Sequence, residues 1–221
     1  AHEIRNPMAS ISGSIQVMKA ELDQNDFNSR LMNIISREID RLNNLISDFL
    51  NFARPKEINI KNFTLDDLIV ESLELFKNSH HWTGNIQIIT KFPFQIMIDS
   101  DPEQIKQVFW NLFLNACEAM PDGGILTIST DVVEEAKYQG EKMAQIIVRD
   151  TGPGFNKEAM KKIFTPFFTT KERGSGLGLA TVKRIIDGLT GKVNGINHIQ
   201  GGAEITLTLP TTLPPSAPLT I

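Results

Sequence analysis

The 221-residue chain is 41% hydrophobic and 22% charged, with a formal net charge of −4, an ordinary globular composition without the basic stripe that nucleic acid demands. No apolar run reaches the roughly 18–20 residues that span a bilayer, and the single cysteine, Cys117, excludes an internal disulfide. Cys117 has apolar, helical neighbours and reads as a small core residue rather than a reactive thiol. The chain opens at Ala1-His2 inside a helical pattern. It therefore reads as a fragment, with any sensor or membrane segment expected in a missing N-terminal part.

Ile4, Met8, Ile11, Ile15, Met18 and Leu22 recur at alternating spacings of four and three, a helical heptad seam. Asp23-Gln24-Asn25-Asp26 interrupts it with turn formers. A second seam runs through Leu31, Ile35, Leu42, Leu45, Phe49 and Phe52, with Glu38 as its charged member and Ile34, Ile39 and Ile46 widening the stripe. Two such helices make an antiparallel hairpin that must bury its apolar face. A second copy, giving a dimeric four-helix bundle, is the simplest cover; the alternative is the chain's own second domain.

Arg54-Pro55 ends the second helix, since proline disfavours helical geometry in the residue before it. After a linker at 55–61 the pattern predicts a helix at 65–77 capped by Thr64, strands at 86–91 and 94–98, and a long helix at 102–120. A hairpin follows at 125–134 and 143–150, then helices at 157–163 and 177–189 and strands at 192–197 and 203–209. The fold class this predicts is a helical hairpin followed by an α/β sandwich, with helices packed on one face of a mixed sheet. The tail at 211–221 holds three prolines without periodicity and is expected to be disordered.

Several residues suggest chemistry. His2 stands two residues before Ile4, off the seam, so its imidazole is expected to face solvent. A neutral imidazole offers a nucleophilic nitrogen near neutral pH, provided a neighbour fixes its tautomer and takes the ring proton. Asn6 follows one turn later on the same face, and Pro7 should bend the helix just beyond.

In the helix at 102–120, Ile105, Val108, Phe109, Leu112 and Ala116 form the predicted buried face, while Gln107, Asn111, Asn115 and Glu118 make one polar stripe. Asparagine carbonyls are neutral oxygen ligands suited to Mg²⁺, which bridges phosphate oxygens. Asp150 ends the run Ile-Ile-Val-Arg-Asp, where a carboxylate can accept from the exocyclic amine of adenine, and Gly152 and Gly154 remove side chains that would block the base. Gly174-Ser175-Gly176-Leu177-Gly178 opens a helix, where backbone amides and the helix dipole favour phosphate. The absence of a following Gly-Lys-Ser/Thr and of a preceding strand excludes a Walker loop and a dinucleotide fingerprint. Lys171 and Arg173 read either as phosphate contacts or as plain surface cations. His80, His81 and His198 lack zinc-like spacing and read as solvated surface residues.

Taken in order, AHEIRNP at 1–7, NLFLNACEA at 111–119, DTGPGF at 150–155 and GSGLGLA at 174–180 resemble the H box, N box and two glycine boxes of the sensor histidine kinases of two-component systems. The resemblance runs from His2 to about Pro210. It implies a dimerisation and phosphoacceptor domain at 1–54 and a catalytic ATP-binding domain at 62–210. His2 would then be the phosphoacceptor, Glu3 its acid/base partner, and Asn6 the residue orienting the water that hydrolyses a phospho-aspartate. Asn115 would bind Mg²⁺ and Asn111 a phosphate or the metal shell. Asp150, Gly152, Gly154, Lys171, Gly174, Gly176, Leu177 and Gly178 would complete the ATP site. Phe164-Thr165-Pro166-Phe167-Phe168 resembles the F box, within the lid over the nucleotide.

The chain departs from the family at two points. Glu118 stands where a basic residue is frequent, so no phosphate contact is assigned to it. Ala203 replaces the threonine often found after the glycine pair Gly201-Gly202.

The activity implied is ATP-dependent autophosphorylation of His2 and transfer to an aspartate of a response regulator, with phosphatase activity toward that regulator. The implied partners are a second copy of the chain and a receiver domain, in the cytoplasm, with membrane attachment only through a missing N-terminal segment. Rival readings carry their own marks. A chaperone, topoisomerase or mismatch-repair ATPase of the same nucleotide fold would lack the hairpin with its His-Glu pair, and a non-catalytic scaffold has no need of intact Asn115, Asp150 and glycines. A phosphatase-dominant protein would keep the same site and rely on Asn6.

Overall fold

The structure is a computed structural model that describes residues 11, 13–15, 18, 27–53, 57–82, 84–134, 142–171 and 174–212. His2, Glu3, Asn6 and Arg173 lie outside the described residues, as do Arg54-Pro55 and residues 213–221 of the expected tail.

Helix α1 (Phe27–Ala53) realises the second seam. Its Ile39 is buried against Ile15 of the preceding helical stretch, with Met32 and Ile46 packed on the pair. Leu31, Ile34, Ile35, Leu42 and Phe49 nevertheless remain exposed along α1.

The larger body contains β1 (Lys61–Thr64), α2 (Leu65–Lys77), β2 (Ile86–Lys91), β3 (Met97–Ser100), α3 (Pro102–Ala119), β4 (Gly124–Glu134), β5 (Lys142–Arg149), α4 (Lys157–Met160), α5 (Gly178–Gly188), β6 (Lys192–Asn197) and β7 (Ala203–Pro210). Five strands form a mixed sheet in the order β2-β4-β5-β7-β6. The β2–β4 pair is parallel and the other three are antiparallel. The alternation of each strand sends one set of side chains inward: Leu126 and Ile128, then Ala144, Ile146 and Val148, then Ile205, Leu207 and Leu209. Register aligns these sets, with Val148 opposite both Ile128 and Ile205, and Ile146 opposite Leu207.

The buried faces of α2, α3 and α5 meet that surface in one continuous core centred on Phe76, Phe109 and Phe113. Each such fully buried side chain contributes roughly 1.5–3 kcal/mol of transfer free energy. The predicted sandwich with a mixed sheet is therefore the fold.

Three local expectations needed revision; the first is the helix expected at 157–163, which ends at Met160 and gives way to turns. The strand expected at 94–98 starts only at Met97, because the Ile96 amide donates to buried Asp66 Oδ2 (3.2 Å) and its carbonyl accepts from the Leu65 amide (2.9 Å). The helix start captures Ile96 before the ladder can. Residues 61–64, where only the linker end at 61 and the Thr64 cap were expected, form β1 and pair with β3. Thr64 holds the N-cap position of α2 but makes no side-chain cap bond, and its hydroxyl contacts Met97 Sδ at 3.3 Å.

Asp101 is the effective cap of α3. Its Oδ1 accepts from the Glu103 and Gln104 amides at 3.0 and 3.1 Å, with Pro102 opening the helix. Its Oδ2 accepts from Gln104 Nε2 (3.0 Å) and from the Asn59 amide (2.9 Å). At the far end, Thr211 donates its amide to the Lys142 carbonyl and accepts from the Asp99 amide.

Candidate active site

Asn111, Asn115 and Glu118 leave α3 on the side opposite its buried Phe109–Phe113 face. Spacings of four and three carry them to the same flank of the helix. Asn111 Nδ2 donates back to the Gln107 carbonyl (2.9 Å), which fixes the carboxamide with its oxygen on the Gly178 side. Asn115 Oδ1 accepts from the Lys171 ammonium at 3.1 Å, and the same ammonium is ion-paired with Glu118 Oε2. Asn115 Nδ2 is buried without a hydrogen-bond partner.

Gly178, the first residue of α5, faces these amides. A Cβ there would lie 3.4 Å from Asn111 Oδ1 and 3.6 Å from Asn115 Nδ2. The carboxamide oxygen of Asn115 is thus already presented to a cation, beside an unsatisfied donor and a side-chain-free helix start. That donor set suits Mg²⁺ bridging to phosphate.

The glycine loop is shaped by the segment before it. Gly176 has φ +68°, and a Cβ there would come within 2.5 Å of the Phe167 backbone. Phe167 itself has φ 64°, an unusual conformation for an aromatic residue. Thr169 Oγ1 accepts from the Lys171 amide (3.0 Å), and the Gly174 amide donates to the Lys171 carbonyl (3.3 Å). Leu177, at the N-cap of α5, has its side chain fully buried, so only its backbone is left to face a ligand.

Asp150 follows β5 and is buried. Its Oδ1 accepts from the Gly152 amide (2.8 Å) and the Ala203 amide (3.1 Å). With Oδ1 doubly occupied, Oδ2 is the oxygen left for an exocyclic amine. The close pairing with β7 requires Gly202, whose missing Cβ would overlap the Asp150 carbonyl oxygen. A Cβ on Gly152 would press on the Ala119 carbonyl at 3.0 Å.

Gly154 has φ +73°. Its turn is held by Asn197, which accepts from the Phe155 amide (2.7 Å) and donates to its carbonyl (2.6 Å). Asn197 and the Ala203 amide were not anticipated from the sequence. The Gly201-Gly202 pair was the available signal, because paired glycines mark a close backbone approach.

Helix α1 meets this region where the Phe49 and Phe167 rings stack at 6.2 Å and where the Arg184 guanidinium sits 5.1 Å over the Phe52 ring. His81, read as a solvated residue, is half-buried and meets Trp110 edge-on at 6.1 Å. Burial and the neighbouring His80 hold its pKa below the ordinary histidine value, opposed by Glu118. Among the described residues no helix is long and apolar enough to cross a membrane.

Residues 100–213 match the family model described as "Histidine kinase-, DNA gyrase B-, and HSP90-like ATPase", and residues 1–58 match "His Kinase A (phospho-acceptor) domain". The chain is 37% identical over 217 residues to sporulation kinase D of Bacillus subtilis (strain 168), covering 95% of this chain and 40% of that protein. It is 34% identical over 210 residues to the sensor histidine kinase ZraS of Klebsiella oxytoca, covering 95% of this chain and 44% of that protein. The chain thus spans less than half the length of these curated relatives. Among solved structures it resembles histidine kinase ThkA in complex with response regulator protein TrrA, with TM-score 0.70, 32% identity, and coverage of 96% of this chain and 60% of that one.

Proposed function

Because the chain belongs to the sensor histidine kinases, we propose that it is the ATP-dependent, autophosphorylating core of a two-component signalling protein. The observation that carries this reading is the Asn115 carboxamide, its oxygen turned to a cation and its nitrogen unsatisfied, facing the glycine start of α5.

Asp150 Oδ2 accepts from the adenine amine while Gly152 and Gly154 leave room for the base. Asn111, Lys171 and the backbone of Gly174, Gly176, Leu177 and Gly178 hold the phosphates. Asn115 would hold Mg²⁺, which when bound would supply charge neutralisation on the triphosphate, as in phosphoryl transfer generally. A neutral ring nitrogen of His2 attacks the γ-phosphorus; an N–P bond forms as the bond to the ADP oxygen breaks, and Glu3 takes the ring proton. The phosphoryl group then passes to an aspartate of a response regulator, a partner of the kind seen with ThkA. Asn6 supports the reverse traffic by orienting a water against the phospho-aspartate.

We divide the chain into a dimerisation and phosphoacceptor domain at 1–54 and a catalytic domain at 62–210. The small core at Ile15 and Ile39 is separate from the large one, which supports that boundary. The exposed apolar stripe of α1 supports a homodimer, since a second copy would cover it. The need for ATP and a regulator places the reaction in the cytoplasm.

Incubation with γ-labelled ATP and Mg²⁺, beside His2→Ala, tests the reading. Acid-labile label in the parent and none in the variant is expected. Label that persists in the variant would refute His2 as the acceptor.

A further inference from the structure

Glu118, to which the resemblance assigns no phosphate contact, has a partner in the structure. The Lys171 ammonium touches both Glu118 Oε2 and Asn115 Oδ1, joining two residues one turn apart on α3 to the segment before the glycine loop. We propose that Glu118 is a positioning residue: it parks the Lys171 ammonium on the cation seat at Asn115 and retains that lysine when the seat is taken by metal. The metal half of this inference rests on the reading of Asn115 as the Mg²⁺ ligand; the pairing half does not.

The argument is electrostatic. A carboxamide oxygen has two lone pairs, but a monocation and a dication around one such oxygen would lie a few ångströms apart and repel strongly. Lys171 and Mg²⁺ therefore exclude each other at Asn115 Oδ1. Without Glu118 the displaced lysine would have no fixed anchor on α3. With it, the ammonium shifts from two partners to one and stays beside the phosphates. A basic residue at 118 would repel Lys171 from this place, so the acidic residue and the lysine work as a pair. Both side chains are partly exposed, so the pairing is modest in strength and reversible, as a shared seat requires.

Hydrogen–deuterium exchange of the nucleotide-free chain reads the pairing. Glu118→Gln and Lys171→Gln should each speed exchange across 164–171 by about threefold, the scale of an exposed ion pair. The double variant should add nothing, and the reversed pair Glu118→Lys with Lys171→Glu should restore the parent rates. Unchanged exchange in Glu118→Gln, additive single effects, or no restoration by the reversed pair overturns it.

Titration of Mg²⁺ against a saturating fluorescent ATP analogue reads the shared seat. Lys171→Gln should lower the half-saturating Mg²⁺ by about threefold, because a competitor of that strength is gone. An equal or greater requirement overturns the exclusion. An analogue that does not bind the parent chain defeats the proposed function and the shared seat together, while exchange still decides the Glu118–Lys171 pairing.

Discussion

Asp150 shows how one carboxylate can serve the fold with one oxygen and leave the other for the proposed adenine contact. Oδ1 is spent on the Gly152 and Ala203 amides, and Oδ2 is left for a donor. Asp150→Asn keeps the first role if its carbonyl oxygen takes the Oδ1 place, but it then presents an NH₂ group where adenine also presents one. The expected outcome is a largely unchanged melting temperature and a loss of adenine-nucleotide affinity of about 1.5–3 kcal/mol, the scale of a hydrogen bond to a charged group, read by calorimetric titration. An unchanged affinity would remove Asp150 from the site. Cys117 behaves as its apolar neighbours indicate, since burial pushes its thiol up to about 11. Asp150 and Cys117 were legible because each sits in a short, informative run. The bonds from Ala203 and Asn197 were not, because they join positions 53 and 42 residues away in the chain.

At the scale of elements, the periodic ones were legible and the captured ones were not. Helix α3 shows its buried face as an uninterrupted apolar pattern and its start as Asp101-Pro102. Strand β1 depended on pairing with distant β3, and the true start of β3 on a contact with Asp66, neither of which a local pattern encodes.

The end of α5 is a comparable case. The Gly191 amide donates to the Ile186 carbonyl at 2.8 Å, closing a Schellman motif whose left-handed position is held by Thr190, with φ 56°. Its hydroxyl is buried without a partner. A β-branched residue is strained there, although glycines stand close on both sides at 188 and 191. Thr190→Gly is expected to stabilise the chain by about 1 kcal/mol, raising the melting temperature by roughly 2–4 °C in a thermal melt. A fall in melting temperature would show that the side chain contributes more by packing than it costs in conformation.

On the scale of the molecule, α1 and the catalytic body meet through aromatic contacts made by exposed residues. Phe49 and Phe167 are about half-exposed or more, yet stack on each other. Phe167 is also the residue whose left-handed backbone packs on Gly176 of the glycine loop. A change at α1 therefore has a short physical route to that loop. A double-mutant cycle of Phe49→Ala and Phe167→Ala, read from the unfolding of the catalytic body, should give a coupling of about 0.5 kcal/mol. Strictly additive single effects would mean that the rings are neighbours without energetic consequence.

The Asn59 amide on Asp101 Oδ2 sets the length of the leash between the two bodies. Upstream of that bond, α1 ends at Ala53, and the six Cα–Cα steps from there to Asn59 can span no more than about 22 Å. On the proposed function, delivery of a phosphoryl group to the helical hairpin would be a pivot about this joint rather than a free translation. The bond that shortens the leash also lands on the cap of α3, the helix that carries Asn115. Linker and helix are thus anchored on one and the same side chain, Asp101.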